Sequence, residues 1–195
     1  RSTRLRHFQA TAALWRLVLR DVLGSDVNRL TNLLLQICEQ HRRHRDYSRH
    51  QLTDALRELI AWFPVYRTYA QPYSGRLSAA DRHCIERAAS TAILERPDIE
   101  ATLFEFVRDV LSLAMSGDLE KEYVARFQQL TGPAMAKGVE DTAFYAYNRF
   151  IALNDVGGDP SRFGTSLEEF HEPAAETQRR WPATMLATAT HDTKP

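Results

Sequence analysis

Phe63-Pro-Val-Tyr-Arg-Thr-Tyr69 is the stretch that separates a plain helical bundle from a mixed fold. It alternates, is rich in aromatic and β-branched residues, and has proline at its entrance, so it reads as one β-strand. A lone strand leaves its backbone donors and acceptors unmet, which predicts sheet partners elsewhere. On both sides the spacing is helical. Leu5, Phe8, Ala12, Trp15, Leu19 and Val22 recur at intervals of three and four. Gly24 is expected to end that helix and Ser25 to cap the next, whose apolar face is Val27, Leu30, Leu34, Ile37 and Cys38. Ser48 with Gln51 has capping-box spacing and opens a helix through Leu52, Leu56, Leu59 and Ile60. Ser78 with Asp81 repeats that logic for a helix running to Arg96, where Pro97 stops it. From Asp98 a further helix is expected to bury Ile99, Leu103, Phe106, Val110 and Leu113, and Gly117 divides it from one through Leu119, Tyr123, Phe127 and Leu130.

The texture changes after Leu130. Thr131-Gly-Pro-Ala-Met-Ala-Lys-Gly138 reads as a turn and short strand, and Gly157-Gly-Asp-Pro160 as a loop. Ser166 and Glu169 form another capping box, for a helix that ends near Trp181-Pro182. Met185-Leu-Ala-Thr-Ala-Thr190 reads as a buried strand, and it ends in His191-Asp192. A carboxylate just beyond an apolar strand is where a β/α barrel carries catalytic groups, because the loops there surround the pocket. Taken alone the dipeptide is weak evidence, and a helix N-cap at Asp192 is the plainer reading of it.

Composition narrows the function classes. The 195 residues carry 25 basic and 25 acidic side chains, so overall charge offers nothing to nucleic acid or an anionic membrane. No apolar run approaches the ~20 residues of a membrane span. The basic start, Arg1-Ser-Thr-Arg-Leu-Arg6, lacks the apolar stretch of a signal peptide, and there is no initiator Met. A piece of a longer cytoplasmic protein is the expectation. Cys38 and Cys84 make neither a disulfide framework nor a metal signature and read as reduced thiols. His41 and His44 lack a third ligand, and the basic run His41–His50 is expected to be a solvated linker.

Longer strings add a resemblance. Phe63–Tyr69, Phe127–Arg149, Leu153-Asn-Asp-Val-Gly-Gly-Asp-Pro160 and Ala187-Thr-Ala-Thr-His-Asp-Thr-Lys194 resemble, in order, segments of the maltooligosyltrehalose synthases of the α-amylase superfamily. Val18–Leu23 and Val27–Leu30 look like that family's helical insert. The resemblance implies a mainly α chain: a helical insert domain (1–62 and 71–130), a barrel strand at 63–70, and a partial (β/α)8-barrel segment of late strands at 131–195. It implies an isomerase of trehalose biosynthesis, which moves the reducing-end α-1,4 bond of a maltooligosaccharide to α-1,1. No cofactor or metal is implied. The implied partners are the maltooligosaccharide itself and, by functional coupling, a maltooligosyltrehalose trehalohydrolase.

By the same resemblance Asp192 is the third catalytic carboxylate and His191 binds the sugar in the cleaved subsite. The nucleophile and acid/base belong to motifs that precede the insert, so the chain alone is expected to lack turnover. Lys137 and Lys194 are candidates for the acceptor side, where an ammonium donates to several hydroxyls. Glu140, Asp141 and Tyr145 are further candidates. For Glu140 and Asp141 an internal ion-pair network with Arg149 is the competing account, and for Tyr145 and Tyr147 core packing is. Arg67 is expected in a structural salt bridge. The family continues Asp-Thr-Lys-Arg where this chain has Pro195, which touches the acceptor side. The rival from another class is a non-catalytic helical scaffold or binding module.

Overall fold

Apolar residues at helical spacing become the inner faces of a layered set of helices. The computed structural model describes residues 13–146, 150–155, 157–158 and 162–187. α1 occupies 13–21 of these, followed by α2 (Gly24–Gln40), α3 (Arg49–Ala61), α4 (Ala79–Glu95), α5 (Ala101–Leu111) and α6 (Asp118–Met135). α6 runs into a π-helix (Ala136–Ala143) and a single turn, α7 (Phe144–Ala146). A 3₁₀ turn (Ile151–Leu153) and α8 (Leu167–Arg180) complete the elements. The chain is mainly helical, with no strand among the described residues. It divides into two compact units, between Val139 and Glu140.

In the first unit α2 packs on α3 and α6, and α3 and α5 share contacts with α4. Val27, Leu30, Leu34, Ile37 and Cys38 are all buried on α2, as the periodicity requires. Ile85, Ala88, Ala89 and Ala92 form the buried face of α4, small side chains that let the helix approach its neighbours closely. Tyr123 and Phe127 on α6 are fully buried, and Phe63 meets Phe127 edge-on at 5.3 Å between centroids. Burial pushes the Cys38 thiol up to about 12, so it is inert packing material.

The capping boxes of Ser48–Gln51 and Ser166–Glu169 form in full. At Ser78 only half forms. Its hydroxyl accepts from Asp81 N, but Asp81 Oδ1 accepts from Tyr69 N instead of returning to Ser78 N. Gly24 does not end α1, and Ser25 caps nothing. The α1–α2 link is so tight that α2 starts from Leu23, whose carbonyl already accepts from Val27 N.

Three strand expectations are corrected. Residues 63–70 are irregular, because no neighbouring strand pairs with them. Side chains meet their backbone instead: Asp81 Oδ1 takes Tyr69 N, and Gln128 Nε2 donates to Ala70 O. Residues 131–135 are the end of α6, not a turn and strand. Leu130, Thr131 and Ala134 are buried on the face of α6, and that burial outweighs the turn preference of Gly132-Pro133. Proline costs the helix a single hydrogen bond here, and the π-helix begins just beyond it. Met185 and Leu186, the start of the strand expected over Met185–Thr190, are exposed and irregular, while 188–190 lie outside the described residues. Gly138 has to be glycine in this packing, since a Cβ would stand 2.6 Å from Trp15 Cδ1.

The basic linker after α2 is largely solvated, with Arg42, Arg43, Arg45, Arg49 and His50 exposed, and only His41, His44 and Tyr47 are half-buried. His44 stacks on Phe106 at 4.0 Å, and His41 pairs Nε2 with Glu120 Oε1 at 3.2 Å. Desolvation, with His41 and Arg43 nearby, lowers the His44 pKa. In the second unit none of the residues of α8 is buried, and Leu167 and Phe170 lie exposed.

Candidate functional site

Four of the residues singled out by sequence fall in the π-helix and the single turn after it, namely Lys137, Glu140, Asp141 and Tyr145. π-turns are uncommon and concentrate at functional sites, because the i→i+5 ladder re-aims the side chains it carries. Lys137 stands on the first half of this π-helix, exposed, within the first unit. Glu140, Asp141 and Tyr145 belong to the second unit. Glu140 is buried at 7% exposure, while Asp141 and Tyr145 are exposed. Core packing of Tyr145 is therefore ruled out by its 63% exposure. Asp192, His191 and Lys194 lie outside the described residues, as do Tyr147 and Arg149.

Glu140 holds a loop. Its Oε1 accepts from Gly157 N at 3.1 Å, which ties the π-helix to a segment seventeen residues on. Asn154, which the sequence alone does not single out, is 1% exposed and donates Nδ2 to Phe144 O at 2.8 Å. The 3₁₀ turn closes beneath it, with Asn154 N donating to Ile151 O and Gly158 N to Asp155 O. Gly157 has φ +74°, and a Cβ on Gly158 would meet Leu153 O at 2.7 Å and Asp155 O at 2.8 Å. Both positions demand glycine, one for backbone conformation and one for close approach. An Asn shortly before Gly-Gly is the available signal, since such residues fix turns through their own backbone contacts. Together these bonds set the path of 150–158 from the π-helix.

The two accounts of Glu140 give different variants. Glu140→Gln keeps an acceptor for Gly157 N, so the complete protein should lose less stability than with Glu140→Ala and keep most of its activity. Glu140→Ala strands that donor and is expected to cost about 1–2 kcal/mol, read from denaturant unfolding. A Gln variant that melts normally but loses more than tenfold in turnover would place the carboxylate on the substrate instead.

Arg67 is also corrected. It has no carboxylate partner among the described residues. Its Nε donates to Thr68 O at 3.3 Å, and its guanidinium lies over the Tyr69 ring at 4.9 Å from the centroid. No group of three or more His, Cys, Asp or Glu among the described residues is placed to hold a metal ion. No described helix is long and apolar enough to cross a membrane.

No family model matches the chain. Over 73 residues it is 51% identical to proteins of Mycobacterium tuberculosis, strains CDC 1551 / Oshkosh and ATCC 25618 / H37Rv, which carry the provisional name maltooligosyl trehalose synthase. That match takes in 37% of this chain and 10% of each relative. Among solved structures, the maltooligosyltrehalose synthase from Arthrobacter ramosus matches with a TM-score of 0.71 and 31% identity. Here 93% of this chain is covered and 21% of that one, so the chain spans about a fifth of the solved relative's length. In sequence and in fold, the chain is similar to one stretch of a maltooligosyltrehalose synthase.

Proposed function

We propose that this chain serves as the helical-insert and late-barrel portion of a maltooligosyltrehalose synthase, an isomerase that converts the reducing-end α-1,4 bond of a maltooligosaccharide to α-1,1. The observation that carries the reading is the fold match along 93% of the chain at 31% identity. The 51% identity over 73 residues supports it independently. The helices within 1–62 and 71–130 suit the insert, and we assign 131–195, which begins inside the last turns of α6, to the late barrel segment. Free thiols at Cys38 and Cys84 suit a reducing, cytoplasmic setting.

In this reading Asp192 is the third carboxylate and His191 its neighbour on the sugar. A retaining glycosyl transfer uses a nucleophile and an acid/base about 5–5.5 Å apart. Those two are carried by family motifs that do not occur in these 195 residues. Asp192 instead hydrogen-bonds ring hydroxyls and stabilises positive charge at the anomeric carbon, so it favours the oxocarbenium-like transition state over the ground state. Isomerisation in place of hydrolysis requires the released glucose to stay, turn over and attack through its own anomeric hydroxyl. Lys137 and Lys194 would each be able to donate to its hydroxyls, and Glu140, Asp141 and Tyr145 are the weaker candidates that the resemblance offers. A trehalohydrolase acting on the product is the implied downstream partner.

Incubating the complete protein with maltopentaose and assaying for a non-reducing product tests the reading, and absence of that product would sink it. Lys137→Ala in the same protein is expected to raise the ratio of free glucose to maltooligosyltrehalose several-fold, because water competes once the acceptor is loosely held. An unchanged ratio at lower overall activity would make Lys137 a structural residue.

A further inference from the structure

Leu167, Phe170 and Trp181 are large apolar side chains that stand 80%, 64% and 70% exposed. Successive steps of three and four residues place Leu167, Phe170, Ala174, Thr177 and Trp181 in one stripe along α8 and its C-cap. The other side of the helix holds Glu168, Glu169, Glu172, Glu176, Arg179 and Arg180. That charged side is largely satisfied locally. Glu169 accepts from Arg162 Nη2 at 2.8 Å and from Ser166 N at 2.9 Å, and Glu176 pairs with Arg179 and Arg180. The apolar side has no cover among the described residues.

A helix of 14 residues is marginal on propensity alone and depends on burying its apolar side. Pro173, inside α8, lowers the propensity further. Phe163, Met185 and Leu186, to either side in sequence, are exposed as well. A continuous apolar stripe of this kind marks a docking face.

Charge and chain length narrow what covers it. Helices that lie on a membrane surface carry Lys and Arg on the polar side, whereas α8 has four Glu against two Arg there. The solved relative that shares this fold matches the chain over only 21% of its own length. A layer on the same polypeptide is held at high effective concentration and loses no translational freedom on docking, as a second copy would. In a β/α barrel the helices lie outside the ring of strands and pack on it.

We propose that the Leu167–Phe170–Trp181 side of α8 is an intramolecular docking face, covered in the complete protein by strands from the remainder of the same polypeptide. That the cover consists of strands rests on the barrel reading proposed above. Ala174, small and central in the stripe, lets the helix backbone come close to it.

The test puts the photo-cross-linking residue p-benzoylphenylalanine in place of Phe170 in the complete protein and maps the adducts by mass spectrometry. Adducts should fall on the same molecule, on an apolar segment outside these 195 residues. Adducts to a second copy, identified by mixing isotope-labelled with unlabelled protein, overturn the proposal. So do adducts within these residues, or none at all. Phe170→Asp should lower the melting temperature by about 5 °C or more, or prevent folding, while Glu172→Ala on the charged side leaves it unchanged. A Phe170→Asp protein that melts with the wild type overturns the proposal too. Hydroxyl-radical footprinting needs no variant. Leu167, Phe170 and Trp181 should be oxidised at least about tenfold more slowly in the folded wild type than in urea, and equal rates overturn the docking face. None of these readouts needs turnover. A protein with α8 covered that makes no maltooligosyltrehalose therefore counts against the function and for the docking face.

Discussion

Asp192→Asn in the complete protein is expected to lower kcat by at least about a thousandfold, the scale of losing a group that stabilises transition-state charge. The substitution keeps the volume of the side chain and removes its negative charge. Ground-state sugar carries no positive charge, whereas the anomeric carbon acquires one as the glycosidic bond breaks. KM should therefore move much less than kcat. The competing account, an N-cap at the start of a helix, makes the opposite forecast. Asn caps a helix about as well as Asp, so turnover would stay near normal. Steady-state kinetics and a melting curve on this one variant separate the two. Retention of more than a tenth of wild-type turnover takes Asp192 out of the site.

What the sequence made legible is what short-range physics decides. Ser48 with Gln51, and Ser166 with Glu169, each satisfy two orphan donors three residues apart, and both boxes form. Buried faces such as Val27, Leu30, Leu34 and Ile37 follow from period alone. The errors lie where distant groups outbid local preference. Residues 63–70 have strand composition, yet their backbone is met by Asp81 and Gln128, twelve and fifty-eight residues on in sequence. Gly132-Pro133 has turn composition, yet burial of its neighbours keeps it helical. Ser25 has a capping side chain, yet a tight link from α1 starts the next helix before it.

The candidate site divides the same way. Glu140 and Asp141 are adjacent and chemically alike, and only the fold distinguishes the buried one, bonded to Gly157 N, from the exposed one. The nearby Gly157-Gly158 marks Asn154 as a turn residue, but its bond to a carbonyl ten residues earlier is a matter of the fold. For Asp192 and His191, the motif Ala187–Lys194 remains the whole of the case.

Glu58→Ala is expected to destabilise the helical unit strongly. Glu58 on α3 is 1% exposed and accepts from Arg16 Nη2 at 2.5 Å, Arg16 Nε at 2.9 Å and Trp62 Nε1 at 2.7 Å. Arg96, just past α4, lies 3.5 Å away, so one carboxylate joins α1, α3 and the end of α4. Burial pushes the Glu58 pKa up, but hydrogen bonds from Arg16 and Trp62 and the charges of Arg16 and Arg96 outweigh it. The net shift is downward. Removing the carboxylate strands the Trp62 donor and leaves two guanidinium groups facing each other. Breaking a buried pair costs about 3–5 kcal/mol, and the partial exposure of Arg16 and Arg96 brings this to about 3 kcal/mol. For a chain of this size the melting temperature should fall by roughly 6–12 °C. Glu58→Gln, which keeps an acceptor for Trp62, should cost less. The pH dependence fixes the cause. A carboxylate with a depressed folded-state pKa contributes its stability above the unfolded value, near about 4.3, and loses it as pH falls through the folded value. The gap in melting temperature between wild type and Glu58→Gln should therefore be full at neutral pH and close progressively below about pH 4. A gap that stays constant down to about pH 3 would mean the loss is one of packing, with the charge on Glu58 contributing nothing.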